Sequence, residues 1–552
     1  GGGSGSAPAF NAGVDHIANP SDRKGGTLRM AHSDDFDSVD PQDMYYAAAW
    51  DFVRFYGRSL MMNKIAPGKT GAELTPDLAE APGQASDDLK TWTYKLRKGL
   101  KFEDGTPITS KDVKYGVERS LDKDTYPNGP TYLNDFLDTQ GYTSPYKDDS
   151  PDKLGLKAVD TPDDQTIIFH LKKPYAAFDY FAMLPSTVPV PKAKDTGVKY
   201  KEHPVSSGPY MFEKHDLGKS ISLVRNPNWD QATDPNRKAL PDRIEVQLKA
   251  NGEDIDNRLM NGQLEVDAEG NGVEQAAQSK ILNDQKLKAQ TDSAPVLRTW
   301  FTSINPDVIT DVHCRRALEY AVDRDGYQRA YGGSIGGDIA TNMAPANLPG
   351  AEKFDLYPNA PDNKGNVAKA KEELTACGKP DGYETTLIYR NGRDREQKTA
   401  ESMKAAFEKA GIKVTLKGYP AGDYFKLYAG KPSWMKDNNV GIMVYGWGAD
   451  YAEGFGFWDQ IVDSRVIRTA GNTNLGVKDP AIDALIDQTT TTKDSAARNK
   501  LYVEIDKKAM EGAYFIPGVS AKGLFYRPEN VTNAFVSDGF QMQDFLAMGL
   551  AK

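Results

Sequence analysis

The chain has 552 residues, of which 39% are hydrophobic and 10% aromatic, enough for about two to four domains with apolar cores. Its formal net charge is −10 and it has no Lys/Arg-rich run, which argues against the concentrated basic face of a nucleic-acid-binding protein. No stretch approaches the ~18 consecutive apolar residues of a membrane-spanning helix. We therefore expect several globular domains and no nucleic-acid partner.

The first 23 residues open with the Gly/Ser-rich stretch GGGSGSAPAF and hold few core-forming side chains. Such segments behave as flexible linkers. We predict a flexible tether or linker over 1–23, either added for expression or left after removal of a signal peptide from an exported protein. An exported lipoprotein would carry a lipid-modified cysteine just before this stretch, so we expect any lipid anchor to use a cysteine that this sequence does not contain.

Further along the chain, FEDGTP at 102–107 predicts a tight turn. Thr109 and Asp112 have the spacing of a helix-capping box, and the apolar residues after them share one helical face, so we predict a helix over 109–121. Alternation of apolar and polar residues predicts strands at 91–97, 166–171, 220–226, 243–249 and 412–417.

The stretch 384–419 predicts two parallel strands joined by a helix. ETTLIYR alternates as a strand, and the following segment places Ala400, Met403 and Phe407 on one helical face. Gly411 is placed to end that helix before IKVTLKGY begins a second strand. A strand–helix–strand unit forms a parallel sheet with a right-handed crossover. The class is therefore α/β or α+β, with more than one sheet.

The chain has two cysteines, Cys314 and Cys377. Asp311 is placed as the N-cap of a helix whose apolar face includes Cys314. Two interpretations stay open. The thiols are either packed as small apolar groups, or joined as one disulfide if the protein is exported to an oxidising compartment. No Cys-x-x-Cys and no histidine pair at i, i+4 occurs, so we predict no metal site.

One pattern suggests catalysis. GGSIG at 332–336 satisfies G-x-S-x-G with Ser334 as the nucleophile, but that motif needs a strand before the serine and a histidine after it. A helix-like segment precedes this serine, and all six histidines come earlier. No nucleotide-binding glycine motif occurs either. We predict no enzyme activity and no cofactor. A carboxylate pair of a glycoside hydrolase stays an alternative, because two acids can converge from any part of a chain.

Other stretches carry a family likeness, including PDLAE and FEDGTP, a Gly-Pro-Tyr strand and GWGADY. In chain order the stretches are 25–41, 74–122, 205–229, 311–327, 446–451 and 501–518. Their order, spacing and residue types resemble the extracytoplasmic solute-binding proteins of peptide ABC importers, family 5, which include oligopeptide-, dipeptide- and nickel-binding members. The likeness covers about residues 25–552.

This resemblance implies an α/β, two-lobed periplasmic-binding-protein-like fold, of the class with an inserted extra subdomain, with the lobes hinged about a ligand cleft. Lobe I would comprise 24–47, 200–290 and 518–552, its inserted subdomain 48–199, and lobe II 291–517. Preference of a ligand for the closed state would shift the population toward closure. The resemblance also implies a monomer, outside the cytoplasm as a cell-surface lipoprotein or periplasmic protein, whose partners are a peptide ligand and a membrane ABC permease.

In peptide-binding members of the family, the aspartate of the Trp-x-x-Asp-Tyr element receives the free α-ammonium of the ligand, and Asp450 matches it. A desolvated carboxylate is costly unless a cation meets it. By the same likeness, Gly446 and Gly448 would let a ligand backbone come close, and Trp447 and Tyr451 would wall the site. Two alternatives stay open. Trp447 and Tyr451 are ordinary core or rim residues in the first, and in the second Asp450 only caps a neighbouring turn.

The predicted ligand-binding set also includes Tyr45 and Trp458, and the wider group of aromatic candidates adds Tyr46, Trp50 and Trp300. The function implied is capture of a small peptide through its free α-amino group and delivery to an ABC permease for import. The alternatives are an oligosaccharide- or other solute-binding protein of the same family, and a secreted glycoside hydrolase.

Overall fold

The structure is a computed structural model that describes residues 8–359 and 361–552. The chain divides into two compact units, one formed by the residues up to Ala294 together with Leu524–Lys552, and the other by Pro295–Gly523. We call them unit 1 and unit 2. The chain passes from unit 1 to unit 2 within the strand Thr291–Ile304 and returns to unit 1 within the strand Phe515–Tyr526.

Within the described ranges, the strands in chain order are β1 Thr27–Ala31, β2 Met61–Asn63, β3 Leu74–Pro76, β4 Gln84–Ala85, β5 Thr91–Lys95, β6 Val159–Asp163, β7 Thr166–His170, β8 Tyr210–Asp216, β9 Ser220–Arg225, β10 Arg243–Gln247, β11 Val266–Asp267, β12 Thr291–Ile304, β13 Gly337–Ile339, β14 Glu384–Arg390, β15 Lys413–Tyr419, β16 Val440–Gly448, β17 Phe515–Tyr526, β18 Val531–Thr532, β19 Val536–Ser537, β20 Met542–Gln543 and β21 Gly549–Leu550.

The α-helices of the same ranges are α1 Ala47–Val53, α2 Ser110–Leu121, α3 Tyr132–Phe136, α4 Asp179–Ala182, α5 Gly252–Met260, α6 Gln275–Leu282, α7 Gln285–Ala289, α8 Val312–Ala321, α9 Arg324–Ala330, α10 Val367–Ala376, α11 Asp394–Glu408, α12 Pro432–Asp437, α13 Phe455–Val462, α14 Pro480–Thr491 and α15 Ser495–Glu511. Among the residues described, none of these helices combines the length and apolarity needed to cross a membrane.

Unit 1 contains a five-stranded sheet in the order β11-β1-β10-β9-β8 and a four-stranded sheet in the order β4-β5-β7-β6. In the first, β1 runs parallel to β10 and β11, while β9 runs antiparallel to β10. In the second, β5 and β7 pair antiparallel. The strands predicted at 91–97, 166–171, 220–226 and 243–249 are β5, β7, β9 and β10, so apolar alternation located them correctly.

Helix α2 begins with the capping box that its sequence predicts. The Thr109 hydroxyl accepts a hydrogen bond from the backbone N–H of Lys111, and the Asp112 carboxylate accepts one from the backbone N–H of Thr109 at 2.8 Å. Two donors that the first helical turn leaves without intrahelical partners are thereby satisfied. Val113 and Val117 on the inner face are fully buried. The predicted helix is confirmed.

The core of unit 1 holds a buried ion network centred on Asp77. Its carboxylate accepts hydrogen bonds from Arg58 Nε at 2.8 Å and from Arg237 Nη1 and Nη2 at 2.7 and 2.8 Å. Asp234 pairs with Arg237 at 3.1 Å. All four side chains are at most 1% exposed. Because the network joins residues distant in the chain, it ties the N-terminal part of unit 1 to the segment before β10.

Part of the predicted N-terminal tether is described, and residues 1–7 lie outside the described ranges. The Asn11 N–H donates to the Thr291 carbonyl at 2.9 Å, and the Gly13 N–H donates to the Asp292 carboxylate at 2.8 Å. Ala18 forms an antiparallel bridge with Ala534. From Asn11 onward this segment is therefore hydrogen-bonded to unit 1.

Unit 2 is built on a six-stranded sheet in the order β13-β17-β12-β16-β14-β15. Strands β14 and β15 are parallel, in register from Glu384 opposite Lys413 to Arg390 opposite Tyr419, with α11 as the crossover. Gly411 has φ +93°, the left-handed conformation that glycine adopts most easily after a helix. The predicted strand–helix–strand unit is confirmed.

A disulfide joins Cys314 in α8 to Cys377, the residue after α10, with their Cα atoms 5.6 Å apart. Of the two alternatives that the sequence left open, packed thiols or a disulfide, the structure supports the second. The bond fastens two helices that cover one face of the unit 2 sheet core, where Leu318 and Leu374 are both fully buried.

Replacing both cysteines by serine is expected to lower the free energy of unfolding of unit 2 by about 2–4 kcal/mol. The cross-link spans 63 residues of sequence, so its loss restores considerable entropy to the unfolded chain. Urea unfolding of the double variant and of the oxidised and reduced parent chain measures the effect. If reduction left the midpoint of the parent chain unchanged, this expectation would be wrong.

Candidate functional site

The GWGADY element closes β16 at one edge of the unit 2 sheet. Strands β14 and β16 are parallel, so their carboxyl ends meet at this edge. Strand β12 is antiparallel to β16, and its early part reaches the same edge, where Arg298 lies opposite Gly448 and Trp300 opposite Gly446. The edge outside the carboxyl ends of parallel strands is where open α/β sheets commonly bind ligands.

Two glycines of the element accommodate large side chains from β12. A Cβ atom added to Gly446 would lie 2.2 Å from Cε3 of Trp300, and one added to Gly448 would lie 2.8 Å from Nη2 of Arg298. The Arg298 guanidinium lies 5.0 Å from the centre of the Trp300 ring, in cation–π contact. Cross-strand packing is thus one physical reason for glycine at both positions. A role in admitting a ligand backbone stays a prediction.

Gly446→Ala is expected to destabilise unit 2 by about 1–3 kcal/mol, because the added methyl group overpacks against Trp300. The Trp300 ring has no free space to move into on its other side, since it stacks on Tyr331 with the ring centres 5.1 Å apart. Gly422→Ala is the matched control, because nothing lies within 4 Å of a Cβ at that position. Thermal unfolding of the two variants should separate them clearly, and equal midpoints would contradict the packing argument.

Asp450 lies just beyond the end of β16 and is partly exposed. Its backbone N–H donates to the Gly456 carbonyl at 3.1 Å, which closes the loop before α13. Trp447 is also partly exposed, and its indole Nε1 donates to the Phe457 carbonyl at 2.8 Å. The sheet edge therefore presents a carboxylate and an anchored indole to solvent, within one short segment.

The other predicted site residues lie in different surroundings. Tyr451 is 2% exposed and Trp458, in α13, is fully buried. Tyr45 belongs to unit 1, is partly exposed, and has its ring centre 5.7 Å from that of Trp50. Tyr46 is 64% exposed. The structure groups Trp447, Asp450 and the two glycines at one edge of the unit 2 sheet, buries Tyr451 and Trp458 within unit 2, and assigns Tyr45 and Tyr46 to unit 1. Their assignment to ligand binding stays a prediction.

Three arginines near this edge were not predicted from the sequence. Arg390 ends β14 and donates from Nε to the Glu396 carboxylate at 2.8 Å, while Arg393 lies 3.8 Å from the same carboxylate. Arg298 is the third. Burial lowers the pKa of its guanidinium, the positive charges of Arg390 and Arg393 lower it further, and the charge of Asp450 raises it. Arg298 is thus close enough to Asp450 for the two opposite charges to interact.

One sequence signal could have found Arg298. In PVLRTWF the large residues Arg298 and Trp300 alternate along a strand, and in GWG the two glycines alternate in the same way. Large and small residues that complement one another across two strands indicate pairing. For metal binding, the described residues contain no group of three or more His, Cys, Asp or Glu side chains able to hold an ion.

Comparisons with known proteins agree with one another. The family described as "Bacterial extracellular solute-binding proteins, family 5 Middle" matches residues 73–467. The probable D,D-dipeptide-binding periplasmic protein of Escherichia coli K12 is 25% identical over 92% of this chain and 90% of its own. The periplasmic oligopeptide-binding protein of the same strain is 26% identical over 79% of this chain and 78% of its own.

A solved structure, "Clavulanic acid biosynthesis oligopeptide binding protein 2", is 40% identical and superposes with a TM-score of 0.94 over 100% of both chains. The predicted α/β fold class of the periplasmic-binding-protein type is thereby confirmed.

Proposed function

Because this chain belongs to the bacterial extracellular solute-binding proteins of family 5, we propose that it captures a small peptide outside the cytoplasm and delivers it to an ABC permease for import. The observation that carries this proposal is the family match over residues 73–467, together with relatives named for dipeptide and oligopeptide binding. The family consists of binding proteins, so the chain is not an enzyme and the glycoside-hydrolase alternative is set aside.

In this proposal unit 2 corresponds to lobe II and unit 1 to lobe I with its inserted subdomain. The predicted lobe boundaries, the monomeric state and a lipid anchor through a cysteine outside this sequence are parts of the same proposal. Affinity near ~1 µM, about −8 kcal/mol, would suit capture followed by release to a permease.

The ligand contact we propose is a charge pair between Asp450 and the free α-ammonium of the peptide. Three features support it: Asp450 is partly exposed, it lies two residues after the end of β16, and it lies at the sheet edge where the parallel strands end. An ammonium is a strong partner for such a carboxylate because charge-assisted hydrogen bonds are about twice as strong as neutral ones. We propose that the indole of Trp447, three residues earlier in the chain, supplies an apolar wall of the same site.

The experiment that tests peptide capture is native mass spectrometry of the purified protein, followed by calorimetry with tri-alanine and with maltotriose. We expect bound masses that fragment as peptides, and measurable heat with tri-alanine but none with maltotriose. Binding of maltotriose in the absence of any peptide binding would reject this proposal in favour of the oligosaccharide alternative.

A further inference from the structure

Arg298 is a partly exposed cation that the protein does not neutralise by direct contact. In the part of the chain that the structure describes, no carboxylate lies within ion-pair distance of its guanidinium. Its close neighbour is the Trp300 ring, 5.0 Å away. By comparison, Arg390 in the same region has a bidentate partner in Glu396, with hydrogen bonds of 2.8 and 3.1 Å from Nε.

The charges around Arg298 favour an anion over a second cation. Its strongest electrostatic influences include the positive Arg390 and Arg393 and the negative Asp450. Glu396 is already engaged by Arg390, and its separation of 3.8 Å from Arg393 is longer than a hydrogen bond. Positive charge therefore exceeds negative charge here. Desolvating an arginine without a direct partner is costly, and a carboxylate that binds it through two hydrogen bonds would offset that cost.

The backbone arrangement holds Arg298 beside Asp450. Arg298 lies opposite Gly448, and the Ala449 N–H donates to the Leu297 carbonyl at 2.9 Å, so the register continues to the residue before Asp450. Gly448 leaves the space that the guanidinium occupies. The planar guanidinium rests on an indole, a geometry that suits arginine and not lysine. A cation and an anion are thus presented side by side at one sheet edge.

We propose that Arg298 binds a carboxylate of the ligand next to the ammonium bound by Asp450, so that preferred ligands carry both charges close together. This inference rests on the proposed function and narrows its substrate class to compact zwitterions. The carboxylate has two sources: the carboxyl terminus of a very short peptide, or an acidic side chain in the first residue of a longer one.

Calorimetry with four probes that all have a free amino terminus separates these sources. The first pair is alanyl-alanine and its C-terminal amide, and the second is Glu-Ala-Ala-amide and Ala-Ala-Ala-amide. In the wild-type protein we expect the acid of at least one pair to bind more tightly than its neutral counterpart, by at least about tenfold. An advantage in the first pair identifies the carboxyl terminus, and one in the second identifies the side chain.

Variants test whether the tighter binding of the acid, relative to its neutral counterpart, depends on Arg298. Arg298→Gln should abolish the advantage of the acid, so that each acid and its neutral counterpart bind with affinities within about twofold of each other. Gly448→Ala, whose added Cβ would lie 2.8 Å from the guanidinium, should reduce it by displacing the side chain. Arg329→Gln is the matched control, because its side chain is 62% exposed and pairs with Asp325 on the surface of the same unit.

The outcomes separate the two proposals. The carboxylate role is overturned if peptides bind but neither acid binds more tightly than its neutral counterpart. It is also overturned if an acid still binds more tightly in Arg298→Gln. In both cases peptide capture stands. If none of the four probes binds and maltotriose does, peptide capture fails and this inference fails with it. Circular dichroism of each variant confirms that any lost affinity does not come from unfolding.

Discussion

Asp450→Ala is expected to weaken binding of tri-alanine by at least about tenfold, or 1.4 kcal/mol. The substitution removes the carboxylate that we propose as the partner of the peptide ammonium, and it leaves the positive charge of Arg298 to repel that ammonium. Asp450→Asn keeps the shape of the side chain and should lose nearly as much, because it removes the charge alone. Isothermal titration calorimetry measures both affinities.

The control for this prediction is Asp437→Ala, which removes an exposed aspartate at the end of α12 in the same unit. Its affinity for tri-alanine should match that of the wild type. N-acetyl-tri-alanine gives a second check, since wild type and Asp450→Ala should bind this probe, which lacks the ammonium, almost equally. A loss of the same size with the acetylated and the free peptide would point to damaged structure and away from a charge pair.

Asp77→Ala should have the largest effect on stability, a loss of about 3–5 kcal/mol from the free energy of unfolding of unit 1. Asp77 is fully buried and bridges Arg58 and Arg237, which are 1% and 0% exposed. Without it, two buried guanidinium groups share the single carboxylate of Asp234. An uncompensated buried charge costs far more than the ion pair itself contributes.

Urea unfolding followed by far-ultraviolet circular dichroism measures this loss. Asp254→Ala is the control within the same unit, because its separation from Arg258 is 3.9 Å and its side chain is 59% exposed. Surface pairs of this kind contribute only about 0–1 kcal/mol. If the midpoints for Asp77→Ala and Asp254→Ala shifted by similar amounts, the buried network would not have the stabilising role described here.

Local patterns in the sequence predicted local structure well. Strand β5 was predicted because Trp92 and Tyr94 alternate with threonines, and the structure buries both aromatic side chains. Helix α2 was predicted because Thr109 and Asp112 have the spacing of a capping box, which the structure contains. The strand–helix–strand unit in unit 2 was predicted for the same kind of reason. Each of these patterns involves residues that are close in sequence, where periodicity and capping act directly.

What the sequence did not predict depends on contacts between distant residues. Arg298 lies at the same end of the sheet as Asp450 only because β12 pairs with β16 in one particular register, and a shift of one residue would turn its side chain to the other face. The pairing of Cys314 with Cys377 likewise required the packing of α8 against α10. Trp458 belongs to an aromatic stretch whose residue types are compatible with either a buried core or the rim of a binding site. Only the fold shows that its side chain is buried in the core.

The central claim is that the positive amino terminus of the ligand meets Asp450, and one measurement tests it most directly. Calorimetry of the unmodified protein compares tri-alanine with N-acetyl-tri-alanine, which differ in that charge. We predict that acetylation weakens binding by at least about tenfold. Equal affinity for the two peptides would contradict the claim.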